Sequence, residues 1–519
     1  MSSRDSSRKH AKRTPRTVGP IDPAKPRPAD VRKPFGSKGF PDLASALSAL
    51  NERTNVEQIR PAQVESDQVF HLERMAALME ALRNPHRAYK TIHVAGSKGK
   101  GSTCEMTAAA LQACGYTVGL YTSPHLVDLF ERIRINQQMI GPEEFKAHLE
   151  RAFSAAADLP KKLGDATYFE LLTAVAFLHF AEQAVDVAVI EVGMGGRADA
   201  TNVVLPEVTA MAAIQLEHTH LLGDTLEKIA KEKAGIFKAG VPAVSVPQKP
   251  EVLAVLREAA AAVGTRLEVL NDELEFSYRF EASTELGPHA RVCLSTERSN
   301  FEHLPVPLKG EHQAHNCGLA LAILDRLRER NMATPEGAVA AGLARTPSNG
   351  RLELVHTGPR VMVDGAHNPE SVAALVKAIG AQVRSDSMVV VFGCAADKDV
   401  SRMLTNIAQG ADKIIFTKAE ASQRAMDPRD LVRKFNEVSG RMAQQYSSLK
   451  EALNKAAQAV GRDDLILVTG SFALAGEAKR MLLEKAQQRQ AAAMDSAVLR
   501  EVKGLPAKVK KPERGRGGA

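Results

Sequence analysis

A glycine-rich turn at residues 94–103, VAGSKGKGST, constrains this chain more than any other segment. It follows the apolar run Thr91-Ile92-His93-Val94-Ala95 and leads into a helical pattern beginning near Cys104. Strand, glycines and helix in that order make a phosphate cradle. The glycines let backbone N–H groups turn inward, and the helix N-terminus adds the positive end of its dipole. Gly96, Gly99 and Gly101 form the loop, Lys100 is placed to reach terminal phosphates, and Ser102 or Thr103 to face a metal ion. The usual Walker pattern puts four residues between its first glycine and Gly-Lys, whereas only Ser97 and Lys98 intervene here. A plain glycine turn is the competing reading, and the flanking strand and helix argue against it.

The rest of the chain is organised around that unit. A length of 519 residues exceeds one compact core. Apolar strand-like runs at 118–123, 185–192 and 208–214 alternate with helical patterns at 142–157 and 168–183, which predicts a mainly parallel sheet covered on both faces. A second alternation begins near residue 352, with strand-like runs at 361–364, 388–393, 413–417 and 465–470 and a helix at 369–383. The linker Arg-Thr-Pro-Ser-Asn-Gly at 345–350 places the junction of two α/β domains near residue 347. The stretch 265–305 reads as a β-insertion in the first domain. The expected division is a basic tail over 1–34, an ATP-binding domain over 35–346, a smaller α/β domain over 347–487 and a second basic tail over 488–519.

Charge supports the division. The net +7 arises because residues 1–34 carry +7 and residues 500–519 carry +5, leaving the intervening chain at −5. Both tails are poor in aromatics and rich in small residues or Pro, so solvated disorder is expected of them, with contact to RNA or other polyanions as the alternative. The five cysteines show neither CxxC pairs nor His spacing for zinc, and no disulfide framework is indicated. No apolar run approaches the roughly 18 residues of a membrane span, and MSSRDSSRKHAKR has no apolar signal core, so a cytoplasmic location is expected.

Ligands of parallel sheets gather at the carboxyl ends of the strands, which is where Ser123, Glu191 and His218 fall. Glu191, in EVGMGGRADATN, is placed to hold Mg²⁺ directly or through water. Gly193, Gly195 and Gly196 imply close backbone approach to something. A single His such as His218 is more often structural, and spacing alone leaves Lys233 a solvated lysine on a charged helix. In the second domain, Arg351 follows Asn349-Gly350 and could reach a nucleotide as an arginine finger does. Asp364 and His367, in VDGAHNPES, stand at a strand end before a helix. The expectation is an ATP site in a cleft between two domains that closes to exclude water.

Six ordered blocks resemble the folylpolyglutamate synthase and dihydrofolate synthase family, within the wider Mur ligase group. They are HVAGSKGKGST at 93–103, YTSPHL at 121–126, EVGMGGRADATN at 191–202, LEHTHLLGDTLEKIAKEKAGI at 216–236, GRLE at 350–353 and VDGAHNP at 363–369. The resemblance implies a Mur-ligase-like P-loop ATPase domain plus a smaller Rossmann-like C-terminal α/β domain. It also implies a reaction in which ATP phosphorylates a pteroate or folate carboxylate and the amine of L-glutamate displaces phosphate. By the same resemblance Lys100, His218 and Lys233 take catalytic positions, and Ser102 is the hydroxyl partner of Lys100. Ser123 and Glu191 match ligands of one Mg²⁺ and His218 a ligand of a second. Lys233 matches a lysine that family members carbamylate with CO₂. Asn316, Arg351, Asp364 and His367 match nucleotide-side positions, and Asp199 a position near the pterin. Members are often monomers. Lys98, Glu217 and Ala198 depart from residues common in the family, and the two tails have no counterpart. A Mur-type ligase with a non-folate substrate, or a nucleotide-gated RNA-binding protein, are the alternatives. The sequence leaves open which folate is used, the polyglutamate length and the oligomeric state.

Overall fold

The computed structural model describes residues 39–56, 71–420 and 422–502, with side chains up to residue 488. Segment 1–34 and the end of the chain beyond Val502 lie outside the described residues.

The helices, in chain order, are α1 (Leu43–Asn51), α2 (Leu72–Ala81), α3 (Lys100–Ala113), α4 (Pro142–Ala157), α5 (Tyr168–Glu182), α6 (Thr219–Leu222), α7 (Leu226–Ala234), α8 (Pro250–Ala262), α9 (Glu311–Glu329) and α10 (Glu336–Leu343), then α11 (Pro369–Gln382), α12 (Val400–Ala408), α13 (Pro428–Ser439), α14 (Leu449–Gln458) and α15 (Phe472–Val502). The strands are β1 (Lys90–Ala95), β2 (Val118–Tyr121), β3 (Ile133–Ile135), β4 (Gln138–Met139), β5 (Val187–Glu191), β6 (Val208–Met211), β7 (Ala243–Ser245), β8 (Leu267–Val269), β9 (Glu275–Ser283), β10 (Gly287–Ser295) and β11 (Asn300–Pro305), then β12 (Glu353–Thr357), β13 (Arg360–Val363), β14 (Met388–Phe392), β15 (Lys413–Phe416), β16 (Gln444–Gln445) and β17 (Leu465–Thr469).

The first sheet runs β4-β3-β2-β5-β1-β6-β7-β8. It is parallel from β2 through β8, with β3 and β4 added antiparallel at one edge. Strand β1 sits between β5 and β6, so the chain changes direction across it, and a crevice at the carboxyl end of such a strand is where ligands bind. Burial on both faces explains the apolar run of β5 up to Glu191, and in β1 it encloses Thr91 and His93 along with Ile92 and Val94. Ile92 and Val94 pack on one face with α3 and α9, while Ala188 and Ile190 pack on the other with α4 and α5.

Within 265–305 the structure separates two roles. Strand β8 completes the first sheet, and only β9–β11 form an antiparallel three-stranded sheet of their own. The third sheet, β12-β13-β17-β14-β15-β16, is parallel except for β12. Along β14, Met388, Val390 and Phe392 face one core and Val389 and Val391 the other. Helix α15 continues past residue 487, where the sequence reading ends the folded chain. Residues 473–502 are rich in Ala, Leu, Glu, Lys, Gln and Arg, and after Gly476 neither Gly nor Pro interrupts them before Gly504.

Helix α10 lies directly on the phosphate-loop helix α3. A Cβ on Gly342 would stand 2.5 Å from the Ala109 carbonyl oxygen and 2.6 Å from the Ala110 Cα, both immovable backbone. Gly342→Val is therefore expected to lower stability by about 1–3 kcal/mol through overpacking. Urea unfolding of the variant against the parent chain measures it, and an unchanged midpoint would refute the close packing.

Candidate functional site

The glycine loop is anchored at both ends. Ser97 and Lys98 donate their N–H groups to the Ala213 carbonyl beyond β6, and the Ser97 hydroxyl reaches Gln215 O at 2.9 Å. Gly99 takes φ +93° as the residue before α3, so Lys100 already lies in the first helical turn, earlier than the Cys104 start read from sequence. A Cβ at Gly99 would fall 2.2 Å from Asn316 Oδ1, which places Asn316 against the loop from α9. Thr103 is fully buried with its hydroxyl 3.5 Å from the Asn316 carbonyl, a contact between α3 and α9.

Two lysines converge on one oxygen. Lys100 Nζ donates to Gly96 O at 3.2 Å and Lys233 Nζ donates to the same oxygen at 2.9 Å. Lys233 is 3% exposed, not a solvated helix lysine. Burial, and next the neighbouring Lys100, push its amine down to about 7. The glycines after Glu191 make this approach feasible: a Cβ on Gly196 would stand 2.7 Å from the Lys233 carbonyl oxygen, and one on Gly193 would strike the Phe169 ring at 2.4 Å. The close neighbours expected of these glycines are thus the protein's own α7 and Phe169.

Glu191 ends β5 beneath the loop, 4% exposed. Its carboxylate accepts the Ser123 N–H at 3.1 Å and lies 3.9 Å from Lys100 Nζ. Burial raises its pKa, opposed by Lys100, the Ser123 N–H and Arg351. Arg351 reaches in from the second domain: its Nη2 stands 2.6 Å from where a Cβ on Gly101 would be, and Glu191 Oε2 lies 3.3 Å from the same point. Lys100, Glu191, Ser123 and Arg351 therefore share one rim.

A second cluster adjoins it. Lys98 Nζ contacts Glu217 Oε1 at 3.1 Å and His367 Nε2 at 3.2 Å, bridging the two domains. The Gly365 carbonyl, 2.8 Å from His367 Nδ1, can only accept, so Nδ1 carries the proton and Nε2 receives Lys98. Burial alone would raise Glu217, but His367, Lys98 and His218 outweigh it and hold the carboxyl well below its usual range. His218 adopts φ +51° just before α6, with Nε2 3.7 Å from Glu217. Desolvation lowers it to about 4, so its ring is neutral at pH 7.

Asp364 accepts the N–H groups of Leu352 at 2.9 Å and Ala366 at 2.8 Å, fixing the turn that follows Arg351. Burial raises its carboxyl to about 6 despite those bonds. Asp199 lies close enough to Lys233 for its charge to act on that amine. It accepts from the N–H groups of Met194 and Thr201 and contacts the Thr201 hydroxyl, and it lines a cavity with Asn55, Phe169, Met194 and Ala198. Among the described residues no three His, Cys, Asp or Glu side chains form a ready-made metal cage.

Two couplings escaped sequence reasoning. Leu126, at the end of YTSPHL, is buried in the core of the second domain against Gly350 and Gly476. Asn349 donates to Glu105 on α3 at 3.0 Å. Both positions lie far from their partners in sequence, and neither residue type carries a signal of its own.

Among known families, the Mur ligase middle domain matches residues 94–324 and the Mur ligase glutamate ligase domain matches residues 350–472. A dihydrofolate synthase/folylpolyglutamate synthase of Bacillus subtilis is 34% identical over 415 residues, 79% of this chain and 94% of the relative. Its counterpart in Mycobacterium tuberculosis is 33% identical over 492 residues, 88% of this chain and 97% of the relative. A solved Mycobacterium tuberculosis folylpolyglutamate synthase complexed with ADP has a TM-score of 0.75 at 32% identity, covering 85% of this chain and 98% of that one. An Escherichia coli relative in complex with DHPP and ADP has a TM-score of 0.74 at 30% identity, covering 87% and 100%.

The depressed Lys233 amine has a signature in the chain free of CO₂. Between about 7 and the usual lysine value of 10.5, the unfolded chain keeps a proton on this side chain that the folded chain has released. Stability therefore rises with pH across that interval and gains nothing from this group below it. Lys233→Met is expected to flatten the rise, measured by denaturant unfolding from pH 7 to 10; an unaltered slope would count against the buried amine.

Proposed function

Because this chain belongs to the folylpolyglutamate synthase and dihydrofolate synthase family of Mur ligases, we propose that its loop rim joins L-glutamate to a folate at the expense of ATP, through an acyl phosphate. The observation that carries this reading is the meeting of Arg351 from the second domain with Glu191 and Gly101 of the first. Charge moves in such a reaction onto the transferring phosphoryl group, and preorganised donors around it lower the barrier. Lys100, the N-terminus of α3 and the Arg351 guanidinium supply those donors. The folate or pteroate carboxylate attacks the terminal phosphorus of ATP and ADP leaves. The glutamate amine then attacks the acyl carbon, the C–N bond forms as the acyl C–O bond breaks, and inorganic phosphate and one amine proton are released.

The donor set fits Mg²⁺. Glu191 offers buried oxygens beside Ser123, and His218 offers a neutral ring on the adjoining cluster. With so few protein ligands, the cation would complete its shell with water and phosphate oxygens. When bound, Mg²⁺ supplies charge neutralisation at the phosphates. Ser102, at the start of α3, is the hydroxyl assigned to the loop by the family resemblance, while the buried Thr103 turns its hydroxyl toward the Asn316 carbonyl of α9. Lys233 suits carbamylation: an amine near 7 is substantially neutral at neutral pH, so it can form an N–C bond to CO₂ and release a proton, becoming carboxylate-like. Lys98 and His367 hold the domains together over the rim and limit water.

The cavity beside Phe169 and Asp199 is assigned to the pterin end of the substrate. Its aromatic and apolar wall suits a flat ring. The Asp199 carboxylate already takes Met194 and Thr201, so its first task is to shape the wall. A Mur-type ligase acting on another acid, or an RNA-binding protein, is not favoured, because the relatives matched over most of their length are folate ligases.

ADP release on mixing the full chain with ATP, L-glutamate and either dihydropteroate or tetrahydrofolate tests the assignment. Glutamate-dependent turnover with at least one is expected, and none with either would sink it. Lys233→Ala is expected to abolish turnover without rescue by high bicarbonate, read in the same coupled assay; full activity would exclude the carbamate.

A further inference from the structure

Glu105 lies on α3, one turn beyond the glycine loop, and is 2% exposed. Its Oε1 receives two donors from different parts of the molecule: the Arg134 guanidinium of β3 and, at 3.0 Å, the side-chain amide of Asn349. Asn349 belongs to the connection between the sheets, at φ +34°, followed by Gly350 at φ +71°. Asn tolerates the left-handed region because its short polar side chain can bond locally; here that side chain crosses to the first domain instead. The backbone carbonyl of Asn349 accepts Nη1 of Arg351 at 3.1 Å. One residue therefore grips the phosphate-loop helix with its side chain and the Arg351 guanidinium with its main chain.

We infer that Asn349, held by Glu105, is a positioning residue that sets Arg351 over the nucleotide loop. The downstream side of the turn is fixed by the second domain itself, where Asp364 takes the Leu352 N–H at 2.9 Å and Glu353 takes the Gly350 N–H at 2.7 Å while paired with Lys479 at 2.7 Å. Those bonds orient Arg351 relative to its own domain. The Asn349 amide orients it relative to α3, and hence to Gly101 and Glu191, where the guanidinium has to stand. Arg134 fixes the Glu105 carboxylate, so the grip does not depend on a free side chain. The inference rests on the ligase reading of the same rim.

A double-mutant cycle separates this role from a merely structural one. Asn349→Ala is expected to lower kcat/KM for ATP about tenfold, the worth of a hydrogen bond to a charged group. KM for L-glutamate should stay at its parent value. Asn349→Asp, which sets a second carboxylate against Glu105, should lose more. In an Arg351→Ala background, adding Asn349→Ala should change nothing further. Equal losses in both backgrounds, or no loss from Asn349→Ala, would overturn the positioning role. If the parent chain shows no folate- and glutamate-dependent turnover, the ligase reading fails by itself. The same cycle read as ADP affinity by calorimetry then decides the latch, with coupling supporting it and additivity refuting it.

Discussion

Four cations, Lys98, Lys100, Lys233 and Arg351, surround a single glycine loop, and two of them share the Gly96 carbonyl. Like charges this close repel, and burial makes the repulsion stronger. The cluster survives because each ammonium or guanidinium is tied to something rigid: Lys98 to Glu217, Lys100 to Gly96 near Glu191, Lys233 to the backbone, and Arg351 to Asn349. The cost surfaces in Lys233, whose amine is driven toward neutrality. Four cations and a helix N-terminus around one loop suit it to a polyanion such as a phosphate. The same desolvation that weakens Lys233 as a cation favours its neutral amine at neutral pH.

The topology supports this concentration of charge. Because β1 lies between β5 and β6, the loop after β1, the carboxylate ending β5 and the segment after β6 open onto one edge. Three segments, at residues 96–101, 191 and 213–217, then meet at side-chain distance. The second sheet system contributes Arg351, Asp364 and His367 from the β12–β13 end, so neither half of the chain holds a complete rim.

Much of this was legible before any coordinates. Alternation of apolar strands with helices exposes the two sheet systems because a parallel strand covered on both faces reads as an unbroken apolar run, as in residues 187–191. The rim positions of Ser123, Glu191 and His218 follow from the rule that functional groups gather at strand carboxyl ends. What did not show was the identity of buried neighbours. Lys233 reads as a solvated helix lysine because sequence periodicity cannot say that Gly196 lets α7 press against the loop. By spacing the hydroxyls of Ser102 and Thr103 look equivalent; the family resemblance favours Ser102, and the packing of α9 against Thr103 is visible only in the fold. The end of α15 was missed for the opposite reason: net charge suggested a tail, while residue-by-residue helix propensity carried the helix onward.

Leu126 carries a mechanical consequence. It extends from the same short loop that presents Ser123 to Glu191, yet its side chain sits in the apolar interior of the other domain against Gly350, while its backbone lies against Gly476. Withdrawing it into water would cost about 1.5–3 kcal/mol. Separation of the domains is thereby opposed. The segment that presents Ser123 to Glu191 is thereby also the one that ties the first domain to the second, so the rim and the seam between the domains share a single anchor.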